Sequence, residues 1–112
     1  MEASFEQIDS FLVIAIAGRL DTVSAPAFDE KLASVLATPC RRILLDVSQL
    51  SYISSAGLRS ILGLVKHADE NGEQVGVFGV PPHIMDVLEI SGFHSRLDFY
   101  PDRSTALSHK TC

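Results

Sequence analysis

The sequence predicts an α/β domain: a mixed, mostly parallel sheet of about five strands, with about four helices packed mainly on one side. Three observations carry this. Strand-like and helix-like stretches alternate after an initial pair of strands, in the order β-β-α-β-α-β-α-β-α. The apolar runs are strand-length, and the longest, residues 11–17, falls well short of the ~18 residues of a membrane span. The 112 residues suffice for one core rather than two, and 46% hydrophobic with 21% charged residues is the balance of a globular domain. One domain over residues 1–112 is therefore expected. Alternation of this kind implies right-handed crossovers between parallel neighbours, with the first hairpin adding an antiparallel pair.

The elements follow in order. "SFEQI" and "FLVIAIA" flank the turn "DS" and form the hairpin, and "GRLDT" breaks the second strand. Ser24 is placed as an N-cap with Pro26 in the first turn, and Phe28, Leu32, Val35 and Leu36 recur at helical spacing. "ATPCR" ends this helix, since proline restricts the residue before it. "RILLDV" is a nearly continuous apolar strand, as a buried central position requires. The next helix puts Leu58, Ile61, Leu62, Val65 and Ala68 on one face and Arg59, Ser60, Gly63 and Lys66 outward, with Gly72 at its C′ position. "QVGVFGV" is a strand. "PPHIMDVLEISG" is a helix with Ile84, Val87 and Leu88 inward, ending near Gly92. "RLDFY" is a short strand, and "PDRSTALSHK" a short helix that Asp102 can cap.

Charge and motifs exclude several function classes. The net charge is −5 and the nine basic residues are scattered, densest at Arg41 and Arg42, so no basic stripe for nucleic acid exists. "MEASFEQID" is acidic and lacks the basic-then-apolar pattern of a signal peptide, which suggests a cytoplasmic protein. The two cysteines, Cys40 and Cys112, read as free thiols rather than a disulfide. "ISSAG" lacks the first glycine of a G-x-S-x-G elbow, and "GVFGV" lacks a dinucleotide fingerprint. His67, His83, His94 and His109 show no pairing at metal-ligand spacing. No catalytic residue, metal or cofactor is expected.

The informative stretch is "YISSAGLRSIL", residues 52–62, where a strand gives way to a helix. A helix N-terminus carries free N–H groups and a partial positive charge. Ser54 or Ser55 can cap it, Gly57 permits a close backbone approach, and Ala56 adds little bulk. One serine suffices for a cap. A phosphate on the other would add about −1.5 to −2 charges where the helix dipole tolerates them, changing the surface without unfolding it. Gly63, exposed on the helix, costs ~1 kcal/mol relative to alanine. A partner backbone, or a neighbouring helix, would rationalise it. Asp21 either stabilises the turn at the first helix or serves a partner, and Asp46 suits the role of a local loop acceptor.

Three stretches resemble the STAS domain family, and specifically its bacterial anti-sigma factor antagonists: "GRLDTVSAPAF", "ILLDVSQLSYISSAGLRSIL" and "VGVFGVPPHIMDVLEISGF". They cover nearly the whole chain in order, and the middle one is the most specific. The resemblance implies a phosphorylated serine at Ser55, in register with Gly57 and Leu58. Where the family often has aspartate this chain has Ser54, a second acceptor. It also implies that the unmodified protein sequesters an anti-sigma factor, often a serine kinase, and so releases a sigma factor; that the kinase's phosphorylation of the serine dissociates the complex; and that a phosphatase resets it. ATP would belong to the kinase. The implied partner surface is Asp21, Ser54, Ser55, Ala56, Gly57, Leu58, Arg59 and Gly63. The alternative is a STAS subunit of another assembly, such as a lipid-transport complex or stressosome-like scaffold, in which the serine junction is only structural.

Overall fold

The computed structural model describes residues 1–37 and 42–108, apart from the side chain of His94. The Cys40 and Cys112 thiols, the "ATPCR" helix stop beyond Ala37 and the end of "PDRSTALSHK" lie outside the described residues. Strands β1 (Glu2–Ile8), β2 (Phe11–Leu20), β3 (Arg42–Ile53), β4 (Gln74–Phe78) and β5 (Asp98–Tyr100) form one sheet in the order β1-β2-β3-β4-β5. β1 pairs antiparallel with β2, and every other neighbouring pair is parallel. Helices α1 (Ala25–Leu36), α2 (Ser55–Glu70), α3 (Pro82–Ile90) and α4 (Arg103–Ser108) alternate with the strands, as the sequence predicts.

Strand alternation builds two apolar faces. Leu12, Ile14 and Ile16, Ile43, Leu45 and Val47, and Val75 and Val77 meet Phe28 and Leu32 of α1, Ile61, Leu64, Val65 and Ala68 of α2, and Ile84 and Leu88 of α3. The opposite face is smaller: Phe11, Val13, Leu44 and Phe78 pack against Ala106 of α4. Three helices therefore cover one face and α4 covers part of the other. Burial on both faces is the reason the central strands read as continuous apolar runs.

The strands run further than their apolar cores suggest. β2 continues to Leu20 and β3 to Ile53, paired from Phe11↔Arg42 through Leu20↔Ile53. Register irregularities fall between Ala15 and Ala17 and between Gly18 and Arg19, where Gly18 has φ +86°. These shifts break the two-residue period: Leu50 and Ile53, both buried, stand three apart. A period of three does not read as a strand.

On α2 the buried stripe is Gly57, Ser60, Ile61, Leu64, Val65 and Ala68. Leu58 and Leu62 are only half-buried. Ser60 faces inward, contrary to the sequence reading. It is 7% exposed, and its hydroxyl donates to the Ala56 carbonyl at 3.3 Å. A small residue that satisfies its own hydroxyl on the helix can be buried without a distant partner. The helix ends as read: Gly72 has φ +68°, and Glu73 N–H donates to Ala68 O at 2.8 Å. Asp102 caps α4, accepting from Thr105 N–H at 2.8 Å.

Arg42, the first residue of "RILLDV", is a buried cation at 1% exposure. Its guanidinium donates to Gln74 Oε1 at 2.6 Å, to Asp98 Oδ2 at 3.2 Å and to the Tyr100 hydroxyl. Gly76 makes room for this: a Cβ there would lie 2.8 Å from Tyr100 Cε2. Arg42 thus ties the edge strand β5 to β3 and β4.

Candidate functional site

The two longest parallel strands, β2 and β3, end side by side, and Ser54 N–H donates to Leu20 O at 2.9 Å. Ser54 is extended, with φ −97° and ψ 178°, and the chain turns helical immediately after it. Its hydroxyl accepts from Gly57 N–H at 3.4 Å, and its carbonyl accepts from Leu58 N–H at 2.9 Å. This is the N-cap arrangement, with a long side-chain bond. Ser55 is the first residue of α2 and is exposed. Its hydroxyl has no hydrogen-bond partner among the described residues. The cap that the sequence offers to either serine therefore belongs to Ser54.

Gly57 is where the helix meets the strand ends. A Cβ there would stand 2.6 Å from Leu20 O and 2.8 Å from Ile53 Cγ1, so no side chain fits without displacing backbone. Leu58 leans on the main core. Gly63 differs: a Cβ there would meet nothing within 4 Å among the described residues. No neighbouring helix explains that glycine.

Asp21 sits in the turn after β2. Its Oδ1 accepts from the N–H groups of Val23 and Ser24, each at 3.1 Å, and lies 3.1 Å from the Ser24 hydroxyl. The Ala25 N–H donates to Asp21 O at 2.8 Å, so helical bonding already starts at Asp21. Ser24 has helical angles, φ −90° and ψ −23°, and makes no side-chain cap bond. Asp21, not Ser24, caps α1, because its carboxylate reaches the free N–H groups two and three residues ahead. The Ser24 N–H is the largest influence holding this carboxyl below its ordinary range. Desolvation, the next largest influence, opposes it, and the Ser24 hydroxyl, the Val23 N–H and Arg19 add smaller lowering contributions. Arg19 Nε lies 3.6 Å from Asp21 Oδ2, and the guanidinium stacks 4.2 Å from the Tyr52 ring centroid.

A groove of ≈ 520 Å³ separates α1 from α2. Thr22, Ala25 and Asp29 line one wall, and Ala56, Arg59 and Gly63 line the other. The structure thus gathers Ser54, Ser55, Ala56, Gly57, Leu58, Arg59 and Gly63 over the first turns of α2, with Asp21 beside them at the end of β2. Ser55, Arg59 and Gly63 face solvent. Gly57 is buried. Three neighbours escape the sequence reading: Val23, 89% exposed; Tyr52, 40% exposed; and Thr22, in the groove wall. An apolar residue two positions after a capping-type aspartate is the signal for Val23. Asp46 lies outside the site, its Oδ1 accepting from Ser48 N–H at 3.1 Å and the Ser48 hydroxyl at 2.7 Å, a local anchor as read. His83 Nε2 stands 2.9 Å from Ser51 O, joining α3 to β3.

The sequence pattern of the STAS domain matches residues 2–106. The chain belongs to the STAS domain family. Its curated relatives include anti-sigma factor antagonists. BtrV of Bordetella bronchiseptica, described as an anti-sigma factor antagonist, is 34% identical over 95 residues, spanning 85% of this chain and 82% of BtrV. The crystal structure of an anti-sigma factor antagonist from Mycobacterium paratuberculosis superposes with a TM-score of 0.86 at 22% identity, covering 96% of this chain and 91% of that one. The phosphorylated form of the Bacillus cell fate determinant SpoIIAA superposes with a TM-score of 0.75 at 18% identity, covering 95% and 96%. At such identities the two structures speak for the fold. The STAS resemblance read in the three sequence stretches holds. Among the described residues, no helix of this STAS domain is long and apolar enough to cross a membrane.

Proposed function

We propose that this STAS domain is a phosphorylation-switched antagonist of an anti-sigma factor that is itself a serine kinase. It works in the cytoplasm, where an anti-sigma factor meets its sigma factor. Unmodified, it docks the anti-sigma factor over Ser55, Arg59 and Gly63, with Asp21 at the margin, and the sigma factor is released. The Ser55 hydroxyl then takes the γ-phosphoryl group of the kinase's ATP, ADP leaves, and the hydroxyl proton passes to a base on the kinase. The docked face gains charge and the complex separates. A phosphatase restores the serine.

One observation carries this reading: the two serines have separate employment. Ser54 is spent on the cap, while Ser55 is exposed and unbonded among the described residues. A phosphate on Ser55 removes no hydrogen bond among the described residues. The likeness to BtrV and to a SpoIIAA that exists in a phosphorylated form supports the same reading. Titration calorimetry with a serine-kinase anti-sigma factor from the same genome tests it. Arg59→Glu and Gly63→Arg are each expected to weaken binding at least 10-fold with an unchanged circular dichroism spectrum. Normal binding by both folded variants would place the surface elsewhere.

A further inference from the structure

The α2 face that carries Ser55 also carries Arg59 one turn on, then Gly63 and Lys66, all exposed. Three other arginines of the structure each engage a carboxylate: Arg19 with Asp21, Arg42 with Asp98 and Arg103 with Glu6. Arg59, like Arg96, makes no side-chain ion pair or hydrogen bond among the described residues, but only Arg59 stands on the face of Ser55. Among the described residues no carboxylate pairs with it. The first turn of α2 holds no acidic side chain. Asp29 faces Arg59 across the groove but lies beyond ion-pair distance. Asp21 is already occupied by Val23, Ser24 and Arg19.

We infer that a phosphate on Ser55 is held in cis by Arg59, so that modification withdraws a cation from the docking face while adding an anion. Residues four apart on a helix stand ~5–6 Å apart at Cβ, and an anion N-terminal to its cation is the favoured order. A phosphate monoester offers three acceptor oxygens, and a guanidinium can engage two of them in parallel. The face that read Ser–Arg–Gly–Lys to a partner becomes an internally closed pair. The partner loses the guanidinium and meets residual negative charge. This rests on the reading of Ser55 as the acceptor, and it adds the means by which one phosphate changes two surface groups.

The test needs neither kinase nor partner. The full chain is made with phosphoserine installed at position 55, and the phosphate is titrated by phosphorus NMR. A captured dianion keeps its charge to lower pH. Arg59→Gln is therefore expected to raise the midpoint by about 0.2–0.4. Arg59→Lys should restore part of that difference, and Lys66→Gln, about three turns away, should leave the midpoint unchanged. Identical midpoints with and without Arg59 would overturn the pair. An equal rise from Lys66→Gln would overturn it too, since the helix face would then act only as a diffuse field. Failure of a kinase to modify Ser55 would count against the proposed function and leave this titration fully readable.

Discussion

At the scale of single residues, the account turns on which serine does what. Residue type alone cannot divide the roles, because serine is a favoured cap at either position. The division comes from the backbone: Ser54 is extended at ψ 178° and Ser55 is already helical. Ser54→Ala should therefore lower stability by about 0.5–1 kcal/mol, the low end for a cap, since its bond is long. Ser55→Ala should stay within about 0.5 kcal/mol of the parent, as an exposed position without a partner does. Urea unfolding of both variants checks this, and a reversed order would return the cap to Ser55. Asp21 supplies a pH dependence. Its folded carboxyl lies below the ordinary range, chiefly through the Ser24 N–H. Its contribution is therefore complete above the unfolded value of about 4 and fades as pH falls through the lower folded value. Asp21→Asn keeps a cap without that titration, so the acid limb of its stability profile below about pH 4 should be flatter than the parent's. Superimposable limbs would remove Asp21 from the acid response.

At the scale of elements, the two glycines of α2 make opposite predictions. A Cβ at Gly57 would meet Leu20 O and Ile53 at sub-contact distance, so Gly57→Ala should force the helix off the strand ends and cost about 1–3 kcal/mol. Gly63 faces open space, so Gly63→Ala should stabilise by about 0.5–1 kcal/mol. Thermal melts of the pair decide it: equal and small effects would mean that α2 does not seat against β2 as described. The sequence separates these glycines only in part. Gly57 follows two serines at a strand end and invites a close-approach reading, whereas Gly63 is placed by helical periodicity. The same periodicity misplaces Ser60, because hydrophobicity is a proxy for burial and a hydroxyl bonded to its own helix escapes it. The lengths of β2 and β3 escape as well, since the irregularities near Gly18 break the period that marks a strand.

At the scale of the whole molecule, the candidate site and the buried cation occupy opposite ends of one strand. Arg42 opens β3, and the strand's last residue, Ile53, directly precedes Ser54. The order of strands and helices was legible because strand-length runs and helical periods alternate along the chain. The Arg42 network was not, because Gln74, Asp98 and Tyr100 are brought to it only by the parallel pairing of β3, β4 and β5. Arg42→Ala should lower stability by about 1.5–3 kcal/mol, the worth of charge-assisted hydrogen bonds, moderated because Asp98 stays half-exposed to water. It should leave phosphorylation of Ser55 unchanged in the folded protein. A loss of phosphorylation at a temperature where the variant is folded would show that the two ends are coupled.

The central claim is that Ser55 carries the switch while Ser54 holds the helix. Tandem mass spectrometry after incubation with the anti-sigma kinase and ATP tests it most directly. The account predicts a single phosphate on Ser55, absent from Ser55→Ala and retained in Ser54→Ala. A phosphate on Ser54 alone, or none on either serine with a kinase active on another substrate, would contradict it.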